Sequence, residues 1–207
     1  MRIMPDNQVH ISLREATRDW HQRVDDAYSR FDLTSMEGYA RFLVAHRLAA
    51  AWYQRGLDCF AACVLQEAAP HYGDMLAADL EAVPLSIPPV IPPLAAWNSP
   101  VQNTAFLIGL GYTVCGSRLG MAAIHHGWVQ TPFGHRHHPE AHFLADRQGL
   151  VLWKKFLGWS KTAALTPQDL QDAAEASADT FALFFAAAQA ADALTLIDSQ
   201  PEICHVS

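Results

Sequence analysis

Apolar residues recur at three- and four-residue steps near the start of the chain. Leu13, Ala16, Trp20, Val24, Ala27 and Phe31 form one stripe, the period of an amphipathic helix. Ser12 and Glu15 make a Ser-x-x-Glu pattern in which a hydroxyl and a carboxylate satisfy two free backbone N–H groups, so a helix is predicted to open there. At about 100° per residue, Thr17, His21 and Tyr28 lie along one edge of the stripe, and Asp25 sits one turn beyond His21. Thr34 and Glu37 repeat the capping pattern and predict a second helix running through Gly38 to about Arg55. A third apolar segment, Leu57 to Ala69, stops at Pro70, and a shorter helix is predicted over 72–82.

Residues 84–100 interrupt this rhythm. They hold six of the twelve prolines, which excludes helix and central strand and predicts an extended connector packed along the body. Beyond it the pattern predicts a long apolar helix from Val101 to about Trp128, a loop over 131–140, and an amphipathic helix from about Ala141 to Lys161. Thr166-Pro167 is an N-cap followed by a first-turn proline and opens a last helix that fades by Leu196. No strand-like alternation and no internal repeat appear. The chain reads as all-α and as a single domain over 1–207, with 1–11 and 196–207 as loosely ordered tails.

Composition narrows the picture. The formal charge is −7 with no basic block, which argues against nucleic acid and anionic membrane as partners. Cys59, Cys63, Cys115 and Cys204 form no pair of zinc-like CxxC spacings, and free thiols fit a reducing compartment. The N-terminal residues show no leader pattern, and no stretch approaches the roughly 20 apolar residues that span a bilayer. The expected location is the cytoplasm.

Several residues carry chemistry. A lone histidine beside an apolar stripe is more often structural than a ligand. His21, however, has Asp25 at i+4, within reach of one ring nitrogen, which leaves the other free for a metal. Gly109, Gly111, Gly116 and Gly120 lie in one helix, where each glycine costs roughly 1 kcal/mol against alanine. Close helix packing explains such glycines, and so does a flat ligand lying against the backbone. His125, His126, His135, His137, His138 and His142 cluster around one loop. His138 and His142 could share a divalent metal if that stretch is helical, but a polar loop without a functional metal is the expectation.

The run Leu-Arg-Glu-Ala-Thr-Arg-Asp-Trp-His-Gln-Arg-Val-Asp, 13–25, resembles the first helix of heme oxygenases. Gly-Tyr-Thr-Val-Cys-Gly-Ser-Arg-Leu-Gly, 111–120, resembles the distal helix of their bacterial, phytochrome-associated, biliverdin-producing branch. The order of the remaining pieces agrees over roughly 12–190. The resemblance implies the heme oxygenase-like helical fold, with heme held between the first helix and the glycine-bearing distal helix.

It also implies cleavage of heme to biliverdin, carbon monoxide and ferrous iron, with heme as both cofactor and substrate. His21 would ligate the iron, with Asp25 as its hydrogen-bond partner and Thr17 beside it. Arg14 would meet a propionate, and Tyr112, Lys154 and Lys155 would be further contacts. Gly116, Ser117 and Gly120 would form the catalytic distal face. No flavin or nicotinamide fingerprint is present, so a ferredoxin or reductase would supply electrons, and a phytochrome is a possible acceptor of the biliverdin.

Two positions depart from the family pattern. Cys115 stands where glutamate is usual, and Met121 where a second glycine is usual. A thiol near heme could ligate iron, and Met121 could fill the distal pocket. Both favour the alternative of a non-catalytic heme-binding or carrier protein on the same fold. A thiaminase-like hydrolase using Cys115 or Cys63 is a further alternative.

Overall fold

The computed structural model describes residues 8–86 and 103–198. Most of the proline-rich connector and the last nine residues lie outside them. The described chain is all-α: α1 (Gln8–Ala16), α2 (Arg18–Tyr28), α3 (Met36–Phe60), α4 (Tyr72–Glu81), α5 (Thr104–Trp128), α6 (Pro132–His137), α7 (His142–Ala145), α8 (Gln148–Ser160) and α9 (Pro167–Asp192). A two-residue antiparallel pairing, Leu85 with Asp198 and Ser86 with Ile197, joins the connector to the C-terminal segment.

The first helix begins earlier than its Ser12 cap suggests. Val9 is buried with Leu13 one turn on, so the apolar stripe starts inside the segment read as a tail. The helix then breaks at Thr17, whose φ/ψ of −111°/10° leaves the helical region. The Thr17 hydroxyl donates back to the Leu13 carbonyl at 2.7 Å, the local competition by which threonine interrupts a helix. Ser35, rather than Thr34, caps α3 by accepting from the Gly38 N–H at 3.1 Å. Thr34 is held instead by Asp32. The two segments separated in sequence at Arg55 are one helix, which runs through a π-helical turn (Ala61–Leu65) and stops at Gln66 in the left-handed region.

The expected helices over 72–82 and from Thr166-Pro167 form as read, and the second has a full capping box between Thr166 and Asp169. Two expectations fail. The stretch 131–140 contains α6, with Thr131 accepting from the Gly134 N–H and Pro132 at its first position. Residues 141–161 form two helices, because Asp146 turns the chain and accepts from the Gln148 and Gly149 N–H groups at 3.0 Å.

At the centre, α5 lies against α3, α8 and α9. By length and composition it is apolar enough to cross a bilayer, which the expectation of no such stretch overlooked, but most of its apolar surface is buried inside the protein. Gly109 lets α5 approach α9, since a Cβ there would collide with the Ala173 carbonyl. The Thr113 hydroxyl meets that of Ser177 at 2.7 Å. A buried polar joint lies on the other side of α5. Arg118 reaches Asp146 and the Phe143 carbonyl, and Asp79 on α4 accepts the His142 and Phe143 N–H groups at 2.8 and 2.9 Å, capping α7.

Candidate functional site

Helix α2 carries His21. No side chain of α2 is fully buried, and the helix rests on α9, whereas α1 is packed against α5, α8 and α9. The His21 ring is 61% exposed, with Nδ1 3.0 Å from Asp25 Oδ2. A carboxylate accepts, so the Nδ1–H tautomer is favoured and Nε2 keeps its lone pair for a metal. The other face of the histidine is set by Phe181 of α9, the ring centroids lying 5.6 Å apart.

The C-terminal half of α5 presents the second feature. Gly116, Gly120, Ala123 and Gly127 share one face, and the last three are exposed. A Cβ at Gly120 would find nothing within 4 Å, and one at Gly116 would meet only the Trp153 ring at 3.3 Å. Leu119 and Ile124 flank the face and are 53% and 36% exposed. With Gly109 against Ala173 and Thr113 against Ser177, α5 runs the same way as α9. His21 at Phe181 and the turn from Gly116 to Gly120 are therefore at about the same level of α9. Ser117 is half-buried and donates to the Val114 carbonyl at 2.8 Å, which leaves its lone pairs as acceptors.

The remaining residues fall into two groups. Arg14 is exposed and lines a hollow of about 260 Å³ together with His10, Ile11, Glu15 and Arg18. His10 is the one residue here that the sequence reading missed. Its ring is tilted against Tyr112 and edge-on to Trp153, and burial and Arg14 hold its pKa below the usual histidine value. Lys154 is exposed, and Lys155 pairs with Glu67. Thr17 and Tyr112 are buried. Burial raises the Tyr112 phenol, and the Thr17 hydroxyl and the charge of Arg14 oppose the rise.

Both departures from the family pattern point away from the glycine face. Cys115 is 1% exposed, on the side of Arg118 and Asp146, and burial pushes its thiol up to about 12. A thiol so protonated is a poor ligand and a poor nucleophile, which removes the support for a Cys115-based hydrolase. Met121 is a core residue at 8% exposure. Met121→Gly is accordingly expected to lower stability by about 3–6 kcal/mol, the sum of a core truncation and a helical glycine. Chemical denaturation of the ligand-free protein checks this.

The histidine loop does not form the imagined helical pair. His138 lies in a 3₁₀ turn and His142 opens α7, with a non-helical Ala141 between them. The His138 Nδ1 is bonded to the His135 carbonyl at 2.7 Å. Among the described residues no three His, Cys, Asp or Glu side chains converge as a metal site would require.

A flat tetrapyrrole with a central metal fits the residues that are present. It needs one accessible imidazole nitrogen, an apolar wall without side chains at its closest point, and cationic groups at an edge. These are His21, the Gly120 face with Leu119 and Ile124, and Arg14 with Arg18. Comparison of the chain with protein-family models and with curated proteins finds no match.

Proposed function

We propose that this protein is a heme oxygenase, binding heme between α2 and the C-terminal half of α5 and opening it to biliverdin, carbon monoxide and ferrous iron. The observation that carries the reading is the pairing of an Asp25-oriented, exposed His21 with a glycine face at the same level of α9. The first- and distal-helix motifs add to it. Bound heme, with dioxygen and electrons from a ferredoxin or reductase, supplies the oxidative chemistry.

The chain's own residues supply position and hydrogen bonds. Asp25 accepts a hydrogen bond from the His21 Nδ1–H, fixing the ring and strengthening Nε2 as a donor to the metal. The missing side chain at Gly120 leaves room next to the backbone, where any larger residue would push a bound small molecule away. The Ser117 oxygen, whose own proton is donated to the Val114 carbonyl, can accept a hydrogen bond from water and so hold that water beside the glycine face. Arg14 and Arg18 meet carboxylates as charged donors. The burial of Cys115 and Met121 weakens the case for a mere carrier, since neither residue obstructs the glycine face.

Hemin titration followed by reduction in air tests the reading. Asp25→Asn is expected to keep heme bound with an affinity lower by about tenfold, within the range for losing a ligand's hydrogen-bond partner. It should also lower the iron–histidine stretching frequency in the resonance Raman spectrum. An unchanged frequency would reduce Asp25 to a surface carboxylate.

A further inference from the structure

His46 stands apart from the site, in the middle of α3, and is 3% exposed. Four aromatic rings box it in. Phe42, one turn back on α3, lies at a centroid distance of 4.5 Å and Tyr28 of α2 at 4.7 Å. Phe143 of α7 lies at 4.7 Å and Phe184 of α9 at 5.9 Å. Neither His46 nitrogen has a hydrogen-bond partner among the described residues, and the buried Tyr28 hydroxyl has none either. Tyr28 closes α2, two turns beyond His21. Trp20 and His21 lean that helix on Phe185 and Phe181 of α9, and Tyr28 carries it across to α3.

This box suits a neutral imidazole, because nothing around it offers a counter-ion. On α5, Arg118 places its guanidinium 4.6 Å from the same Phe143 ring that His46 touches. Asp146 is committed to Arg118 and to the Tyr72 hydroxyl. Asp79 of α4 uses both oxygens on the His142 and Phe143 N–H groups. On α9 the buried polar side chain one turn before Phe184 is a hydroxyl, Thr180. On α3 Tyr53 lies against Phe184, and on α2 the group is the Tyr28 phenol. We infer that His46 is a positioning residue for α2, seating Tyr28 while its ring is neutral and unseating it on protonation, so that acid frees the wall that carries His21. Burial and Arg118 hold the His46 pKa well below the ordinary 6.5, and departure of Tyr28 lets water in to relieve that penalty. Above pH 6.5 the closed and open states of α2 bind the same number of protons. Below it the open state binds one more, so opening gains up to about tenfold per pH unit. The inference rests on the heme reading for its consequence, heme release on acidification, but the acid-opened helix is a property of the ligand-free protein.

The test has two arms. In the first, amide hydrogen exchange of the ligand-free protein is followed at about pH 7.5 and 5.5, corrected for the intrinsic pH dependence of exchange. The amides of residues 18–28 are expected to lose about three- to tenfold in protection at the lower pH, while those of α1 and α9 keep theirs. His46→Phe refills the box with an apolar ring and should abolish the difference. Asp79, pushed up to about 6 by burial, is present in both proteins and cancels from the comparison. Should His46→Phe fail to fold, the His46 ring carbon shift decides: the ring should stay neutral at the lower pH in wild type and titrate at higher pH in Tyr28→Leu. PH-independent protection of α2 in wild type, the same loss in His46→Phe, an equal loss throughout α1 and α9, or a His46 ring that titrates alike in wild type and Tyr28→Leu would overturn the inference. In the second arm, hemin is loaded at the higher pH and the pH is lowered. Protonation of His21 releases hemin from both proteins, but His46→Phe is expected to release it several-fold more slowly than wild type below pH 6.5, and equally fast above it. Equal release across the whole range would overturn the positioning role. Failure of the wild type to bind hemin would instead defeat the heme reading, and the exchange arm would still decide the role of His46.

Discussion

With His21 replaced by alanine, the protein should lose its axial ligation of heme while keeping its fold. The ring is exposed and touches the body through Phe181, so removing it leaves no core cavity, and the expected change in stability is under about 1 kcal/mol. Hemin affinity should fall on the order of a hundredfold or more, beyond the ten- to hundredfold attached to losing only a ligand's hydrogen-bond partner. The residual complex should lack an iron–histidine stretch. Added imidazole should restore much of the spectrum, since it can enter the space left by the ring. If His21→Ala bound hemin with an unchanged Soret band and ligation state, the metal would have another ligand.

The second large effect is at Gly120, where function and stability should move in opposite directions. A Cβ there meets nothing within 4 Å, so Gly120→Leu is accommodated and exchanges a poor helix former for a good one, a gain of roughly 0.5–1 kcal/mol. That corresponds to a rise of about 1–4 °C in Tm for a chain of this size. The same leucine would fill the space over the heme face and displace a small bound molecule, at a cost on the order of a hundredfold in turnover. Heme should stay bound through His21. A variant that is more stable, still loaded and inactive would locate the reaction at the glycine face. Unimpaired turnover in Gly120→Leu would exclude that face as the reacting wall.

Much of this arrangement was legible in the chain itself. The His21–Asp25 pair needs only the helical i, i+4 relation and is found as expected. The α9 start follows from Thr166-Pro167. The same Thr-Pro signal at 131–132 opens α6, a helix of only six residues whose histidine- and glycine-rich composition reads as a loop. Other features depend on partners far along the chain. Asp79 caps α7 from 63 positions away. Arg118 is buried inside an apolar helix because Asp146 and the Phe143 carbonyl receive it. Periodicity alone could not divide the glycines of α5 into those that pack, as at Gly109, and those that face open space, as at Gly120. Nor could it show that Cys115 and Met121 point to the core, since the helix is apolar nearly all round and its faces are assigned by the helices packed on it, chiefly α3, α8 and α9.

The most direct test of the heme oxygenase reading is the visible spectrum of the hemin complex, given ascorbate or a ferredoxin–reductase pair in air. The expected course is a falling Soret band with a broad biliverdin-like absorbance rising in the red, and carbon monoxide released in step. A complex that binds hemin through His21 yet only cycles between its reduced and oxidised forms, with the Soret band intact under every donor, would contradict the oxygenase reading and leave a heme carrier in its place.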